Sequence, residues 1–280
     1  MTIDTRDALI SALANDHDKV LWDKASISSQ VSGQMSSLWR ATGLPTQGAI
    51  PTTAAYCTSA LLGSIAITNQ TAPAVGYIGW HSLTAGNANT NLEIHDRLAH
   101  MGGLSGTVTP TAQNVLIDLS TINAGGPVGD SRLGAADYSD VTWWLEWYTA
   151  TGATASNATV NVTFSDGTTG NLAVIAVGGT AVAASRMIKL VSNHASGLDI
   201  RGVNTVSLSA STGTAGNFGV TATRHRTIMA TGAVANVTAN FDWAQLGLPK
   251  IQNNACLFGV MLATATSTGT IKGYGKIVHG

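Results

Sequence analysis

The chain has 280 residues, yet charged side chains hold only 10 % of positions, against roughly 25 % in an ordinary soluble domain. With 44 % hydrophobic residues and a net charge of −1, it is not a charge-rich disordered chain, and no basic surplus suits it to nucleic acid. Two cysteines, Cys57 and Cys256, exclude a disulfide scaffold, and their apolar surroundings predict buried reduced thiols.

The opening residues, MTIDTRDALI, lack the basic and apolar regions of a secretory signal. The longest apolar run, Leu257–Ala263, is far short of the ~20 residues of a membrane helix. A soluble chain made in the cytoplasm, without a membrane partner, is expected. In that setting the Asn-x-Thr triplets at Asn69, Asn157, Asn161 and Asn236 read as chance in a Thr-rich chain. Residues Thr5 to about Gln30 read as the one helix. Leu9, Ile10, Leu13, Val20 and Leu21 recur near a 3.6 period, and Gly33 is a plausible stop. This gives an N-terminal helical arm, 1–35. It packs on its own domain or clasps a neighbouring subunit.

From Ser36 the text changes to short β-branched and apolar runs between Gly, Asn, Thr, Ser and Pro. Candidate strands are 54–67, 75–83, 91–99, 114–119, 141–149, 159–164, 171–177, 185–191, 203–210, 217–223, 225–230, 236–241, 257–264 and 270–278. Turn signals lie at 86–87, 102–103, 125–126, 165–167, 178–179 and 212–217. Such spacing predicts an all-β fold, an antiparallel β-sandwich or jelly-roll-like region over 36–280, divisible into 36–135 and 136–280. The clearest hairpin is Asn157–Val177 around SDGTTG. An internal echo links Trp39-Arg-Ala-Thr-Gly-Leu-Pro45 to Trp243-Ala-Gln-Leu-Gly-Leu-Pro249, so the two segments are candidates to lie side by side.

The densest aromatic run is Trp143-Trp144-Leu145-Glu146-Trp147-Tyr148. As a strand it puts Trp143, Leu145 and Trp147 on one face and Trp144, Glu146 and Tyr148 on the other. Trp143, Trp144, Trp147 and Tyr148 are therefore candidates for a buried anchor, a subunit interface or a sugar-stacking platform. Asp96, Arg97, Arg224 and Arg226 are candidates for ion pairs across an interface. His95 and His100, five apart, face opposite sides of a regular strand, which is poor geometry for a shared metal. Asp130, Asp137 and Asp140 share one loop but lack a Ca²⁺-loop pattern. No nucleophile elbow, HExxH, P-loop or Cys-x-x-Cys occurs, and no carboxylate pair suggests a glycan hydrolase, so no cofactor, metal or enzymatic activity is expected.

The stretches Leu38–Pro45, Asp96–Thr107, Trp144–Thr154 and Ser209–Gly219 resemble structural proteins of tailed bacteriophages and prophages. The likeness covers most of the chain after the N-terminal helix and carries no active-site motif. It implies a virion location and a structural role. The expectation drawn from it is a capsid-associated cement or decoration protein, a homo-oligomer whose partners are its own copies and other virion proteins. The alternative is a tail or host-contact protein whose β-sandwich binds carbohydrate through Trp143, Trp144 and Trp147.

Overall fold

Apolar–polar alternation along the β-rich text builds two β-sandwiches in the computed structural model, which describes residues 3–122, 130–178 and 183–280. The turn signals at 125–126 and at Gly179 lie outside these residues. The chain divides into two compact units, one of residues 1–48, 58–96 and 226–280, the other of residues 49–57 and 97–225. These boundaries replace the expected divisions at 35 and 135. The second unit is an insertion between two strands of the first.

In the first unit, one sheet runs in the order Thr238–Phe241, Gly76–Ala85, Ile271–His279, His17–Lys24, with Gly43–Leu44 at its edge. The other has Met35–Ser37 beside Leu257–Leu262, then residues 91–96, then residues 226–230. The strand pairs of the first sheet, and Leu257–Leu262 with its two neighbours, are antiparallel. Val20, Trp22, Ile78, Leu83, Leu92, Ile94, Leu257 and Ile277 fill the space between the sheets.

The second unit has one sheet in the order 97–104, 217–225, Thr142–Thr149, Arg186–Leu190. Its opposing sheet runs Gln113–Asp118, Ile200–Leu208, Ser156–Phe164, then Thr169–Asn171 and Ile175–Val177. Val160, Val162, Val203, Val206, Leu145 and Val220 are among its fully buried core residues. Numbered along the chain, the eight strands of each unit switch sheets at every step except from the fourth to the fifth. Both units therefore have one and the same strand order, that of a double-sheet jelly roll. The connection between the fourth and fifth strands of the first unit is residues 97–225, which carry all eight strands of the second.

Several expectations change. The N-terminal helix is Arg6–Asn15, capped by Thr5, whose side chain accepts from Ala8 N–H. It ends there because residues 17–24 switch to a period of two: Val20, Trp22 and Lys24 are buried while Lys19, Leu21 and Asp23 are exposed. That strand pairs with Ile271–His279 over eight positions, so it is part of the sheet and not part of an arm. The helix packs Leu9 and Ala12 against Val278 of its own unit. Of the run 54–67, only Ala55–Tyr56 is a strand. Gly102 and Gly103 lie inside a strand instead of a turn; a Cβ on Gly102 would meet the Pro51 carbonyl oxygen at 2.5 Å. The two echo segments do not lie side by side. Gly43–Leu44 edges one side of the first sheet, whereas Lys250–Ile251, just after the second copy, pairs near the other. The hairpin at SDGTTG forms as expected, with Gly167 at φ 90° in its turn.

Candidate functional site

The tryptophan strand is interior on both faces. Trp143, Trp144, Trp147 and Tyr148 are 1, 6, 2 and 2 % exposed. Trp147 stacks on Phe218 at 5.5 Å, and the three indole N–H groups donate to the Ile200 carbonyl, the Thr223 hydroxyl and the Thr151 hydroxyl. No ring face is left for a sugar or a neighbouring subunit, which corrects both the stacking and the interface expectation for these four residues.

The second face of that strand holds a buried ionic cluster. Arg97 Nη2 donates to both Glu146 oxygens at 2.7 and 2.6 Å, and both side chains are fully buried. Arg97 Nη1 lies 3.1 Å from His100 Nδ1, 3.2 Å from Thr221 Oγ1 and 3.3 Å from the Tyr148 hydroxyl. Thr221 Oγ1 donates to Glu146 at 2.5 Å. Three strands supply these groups, residues 97–104, Thr142–Thr149 and residues 217–225. Burial alone lowers the Arg97 pKa, but the Glu146 carboxylate outweighs it and the net shift is upward. Burial, then Glu146, raises the Tyr148 phenol. Burial, then Arg97, lowers His100 to about 3, so its ring is neutral at pH 7. The Arg97 and Glu146 charges compensate each other within the cluster, which is buried and has no open face through which to act on a substrate.

The other ionic candidates are likewise used inside the chain, which corrects the interface expectation. Asp96 is buried and accepts the Cys256 N–H at 2.9 Å. Arg224 pairs with Asp140 at 3.1 Å, and Arg226 donates to the Lys250 carbonyl. His95 Nε2 lies 2.6 Å from Glu93. Asp137 closes a local turn through the Ser139 N–H and hydroxyl, which hold its pKa down. Asp130's side chain lies outside the described set. Cys57 and Cys256 are buried thiols not joined in a disulfide. Among the described residues no helix is long and apolar enough to cross a membrane.

An open aromatic surface lies elsewhere. In the first unit, Trp80 and Tyr274 meet on the outward face of the sheet that holds Gly76–Ala85 and Ile271–His279, ring centroids 4.8 Å apart and tilted by 58°. With Leu13 and Lys276 they line a depression of about 210 Å³. Strand register sets their neighbours: Lys19 opposite Lys276 opposite Trp80 in one row, then Leu21, Tyr274, Ser82 and Asn240 in the next. Sequence reasoning passed over this pair because the aromatic run at 143–148 drew attention by density. The signal was present in Trp80-His81-Ser82-Leu83-Thr84-Ala85, where Trp80 shares a face with Ser82 and Thr84, the polar side of an amphipathic strand.

No family model and no curated protein matches the chain. Among solved structures it is similar to VP2 of infectious bursal disease virus. A mutant VP2 in derived T=1 particles is 10 % identical over 97 % of this chain and 82 % of that chain, with a TM-score of 0.16. A VP2 subviral particle is 9 % identical over 97 % and 86 %, also at 0.16. A likeness of that size carries nothing over to this chain, and the strand order described above rests on its own hydrogen-bonded pairings.

Proposed function

We propose that this protein is a structural component of a virus particle of the tailed-phage kind, a capsid-associated cement or decoration protein without enzymatic activity. The observation that carries the reading is the nesting of one jelly roll inside another. Jelly rolls are a recurrent unit of viral shells, though lectins and cupins share them. The phrases at 38–45, 96–107, 144–154 and 209–219 resemble phage structural proteins and support the same role. The chain's charged candidates serve internal packing, as a scaffold requires. Low charge and exposed Ile228, Val234 and Val237 in the first unit favour association with copies or with capsid proteins. Burial of Trp143, Trp144 and Trp147 removes the platform on which the host-contact alternative was built.

The test is location and copy number. Particles purified to constant composition are expected to contain the chain in stoichiometric amounts by quantitative mass spectrometry, with density for both jelly rolls on the shell by electron microscopy. A chain absent from such particles, and a monodisperse monomer that does not bind them, would overturn the reading.

A further inference from the structure

The helix Arg6–Asn15 covers only part of the outward sheet face of the first unit. It packs against Tyr77, Val278 and Leu248, its Leu13 borders Trp80 and Lys276, and beyond it three rows of side chains are half-buried or exposed. Four strands spaced ~4.8 Å apart and three rows ~6.7 Å apart make this face about 400 Å². A stable protein interface needs about 800 Å² per partner, so the face is too small for a second copy alone and suits a small ligand.

Its chemistry is specific. Trp80 and Tyr274 offer ring surfaces, and Tyr274 is 46 % exposed. Ser82 and Asn240 are cross-strand neighbours beside Tyr274, and neither side chain has a hydrogen-bond partner among the described residues. On the other side, Lys19 and Lys276 stand directly opposite each other, an arrangement of like charges that costs stability. The Lys276 ammonium is turned to the Leu13 carbonyl at 2.7 Å, and Lys19 has no partner among the described residues. Nearby carboxylates are engaged: Asp16 and Asp18 hold His279, Asp18 also holds Thr68, and Asp23 faces Lys272 at 3.9 Å. The face therefore carries unmatched positive charge next to an aromatic pair and free hydrogen-bonding groups.

From this juxtaposition we infer that the Trp80–Tyr274 face binds a carboxylate-bearing sugar residue of a glycan. A pyranose lays its C–H face on the negative face of an aromatic ring. Its hydroxyls reach Ser82 and Asn240, and its carboxylate lies toward Lys19 and Lys276. This inference stands independently of the particle reading, since it uses only the geometry of one sheet.

The experiment titrates the full chain with 3′-sialyllactose and with a glucuronate-containing disaccharide, with lactose as the neutral control, following indole N–H shifts by NMR. Binding of at least one acidic sugar in the millimolar range is expected, with lactose much weaker. Tyr274→Ala and Lys19→Glu, both surface changes, are each expected to weaken it about tenfold, the scale of losing one anchor. Val174→Ala, at an exposed residue of the second unit, should leave it unchanged, and thermal unfolding should confirm that each variant folds. No binding of either acidic sugar overturns the inference, as does equal binding of lactose or wild-type affinity in a folded Tyr274→Ala variant. Sedimentation decides the competing occupant: an oligomer that dissociates on Tyr274→Ala would assign the face to a second copy and overturn it as well.

Discussion

Replacing Glu146 by Leu would strand the Arg97 guanidinium in a site with no solvent. Both side chains are fully buried, and two contacts of 2.6 and 2.7 Å join them. Removing one member of such a pair typically costs about 3–5 kcal/mol, because the remaining charge is neither solvated nor compensated. Thr221 also loses the acceptor it now reaches at 2.5 Å, which adds about 1 kcal/mol. The double variant Arg97→Met/Glu146→Leu removes both charges and should recover most of the loss, ending within about 2 kcal/mol of the parent. Urea unfolding followed by near-UV circular dichroism reads the effect. With a slope near 2 kcal/mol per molar urea, the Glu146→Leu midpoint should fall by about 2–3 M, and the double-variant midpoint by no more than about 1 M. Strong coupling in the double-mutant cycle is the signature. A Glu146→Leu variant within about 1 kcal/mol of the parent, or additive single effects, would refute the view that this cluster is a desolvated, mutually compensated unit.

Further outcomes follow from single positions. Gly219→Ala would place a Cβ 1.7 Å from the Met101 carbonyl oxygen, so it should destabilise by more than about 2 kcal/mol in thermal melts. Trp147→Ala should cost about 3–5 kcal/mol by the same assay, as expected of a core ring; a small loss would contradict its burial against Phe218. His81 is fully buried with neither ring nitrogen partnered among the described residues, and burial lowers its pKa from 6.5 to about 3. Folding therefore favours the neutral ring. Its stability contribution is complete above pH 6.5 and is lost, at up to about 1.4 kcal/mol per pH unit, as the pH falls from there toward 3. His81→Leu should flatten the acid limb of the stability–pH curve, and an unchanged slope would show that the ring gains a proton without unfolding. Truncating residues 1–30 should unfold the first unit, since it removes the eight-residue partner of Ile271–His279; retained near-UV dichroism would argue otherwise.

Much of the fold was legible. The strands at 76–85, 113–118, 142–149, 186–190, 257–262 and 271–279 fall within two residues of their expected bounds, because period-two alternation is a local property of the chain. The strand at 17–24 was misread because Val20 and Leu21 also satisfy a helical period. Its true partner lies some 250 residues away, where no local pattern reports it. The Trp80–Tyr274 pair shows the same limit. Trp80 could be placed on a polar strand face from its neighbours, but its meeting with Tyr274 depends on the register between two distant strands.

By itself the sequence determined the class of structure. Sparse charge, β-branched runs and Gly- or Asn-bearing turns leave an antiparallel sandwich as the way to bury 44 % hydrophobic residues. It also determined that Trp143 and Trp147 share one strand face and Trp144, Glu146 and Tyr148 the other, since side chains alternate at every residue. Only the tertiary structure decided which faces are covered. It closed both sides of the tryptophan strand, drew Arg97 and Glu146 into one buried pair, and left the face around Trp80 and Tyr274 only partly covered. It alone disclosed that the two units repeat one strand order, with one inserted in the other. Strand order is set by pairings between distant segments, and backbone hydrogen bonds are indifferent to the side chains on either strand. The same topology can therefore recur without leaving a repeat in the text.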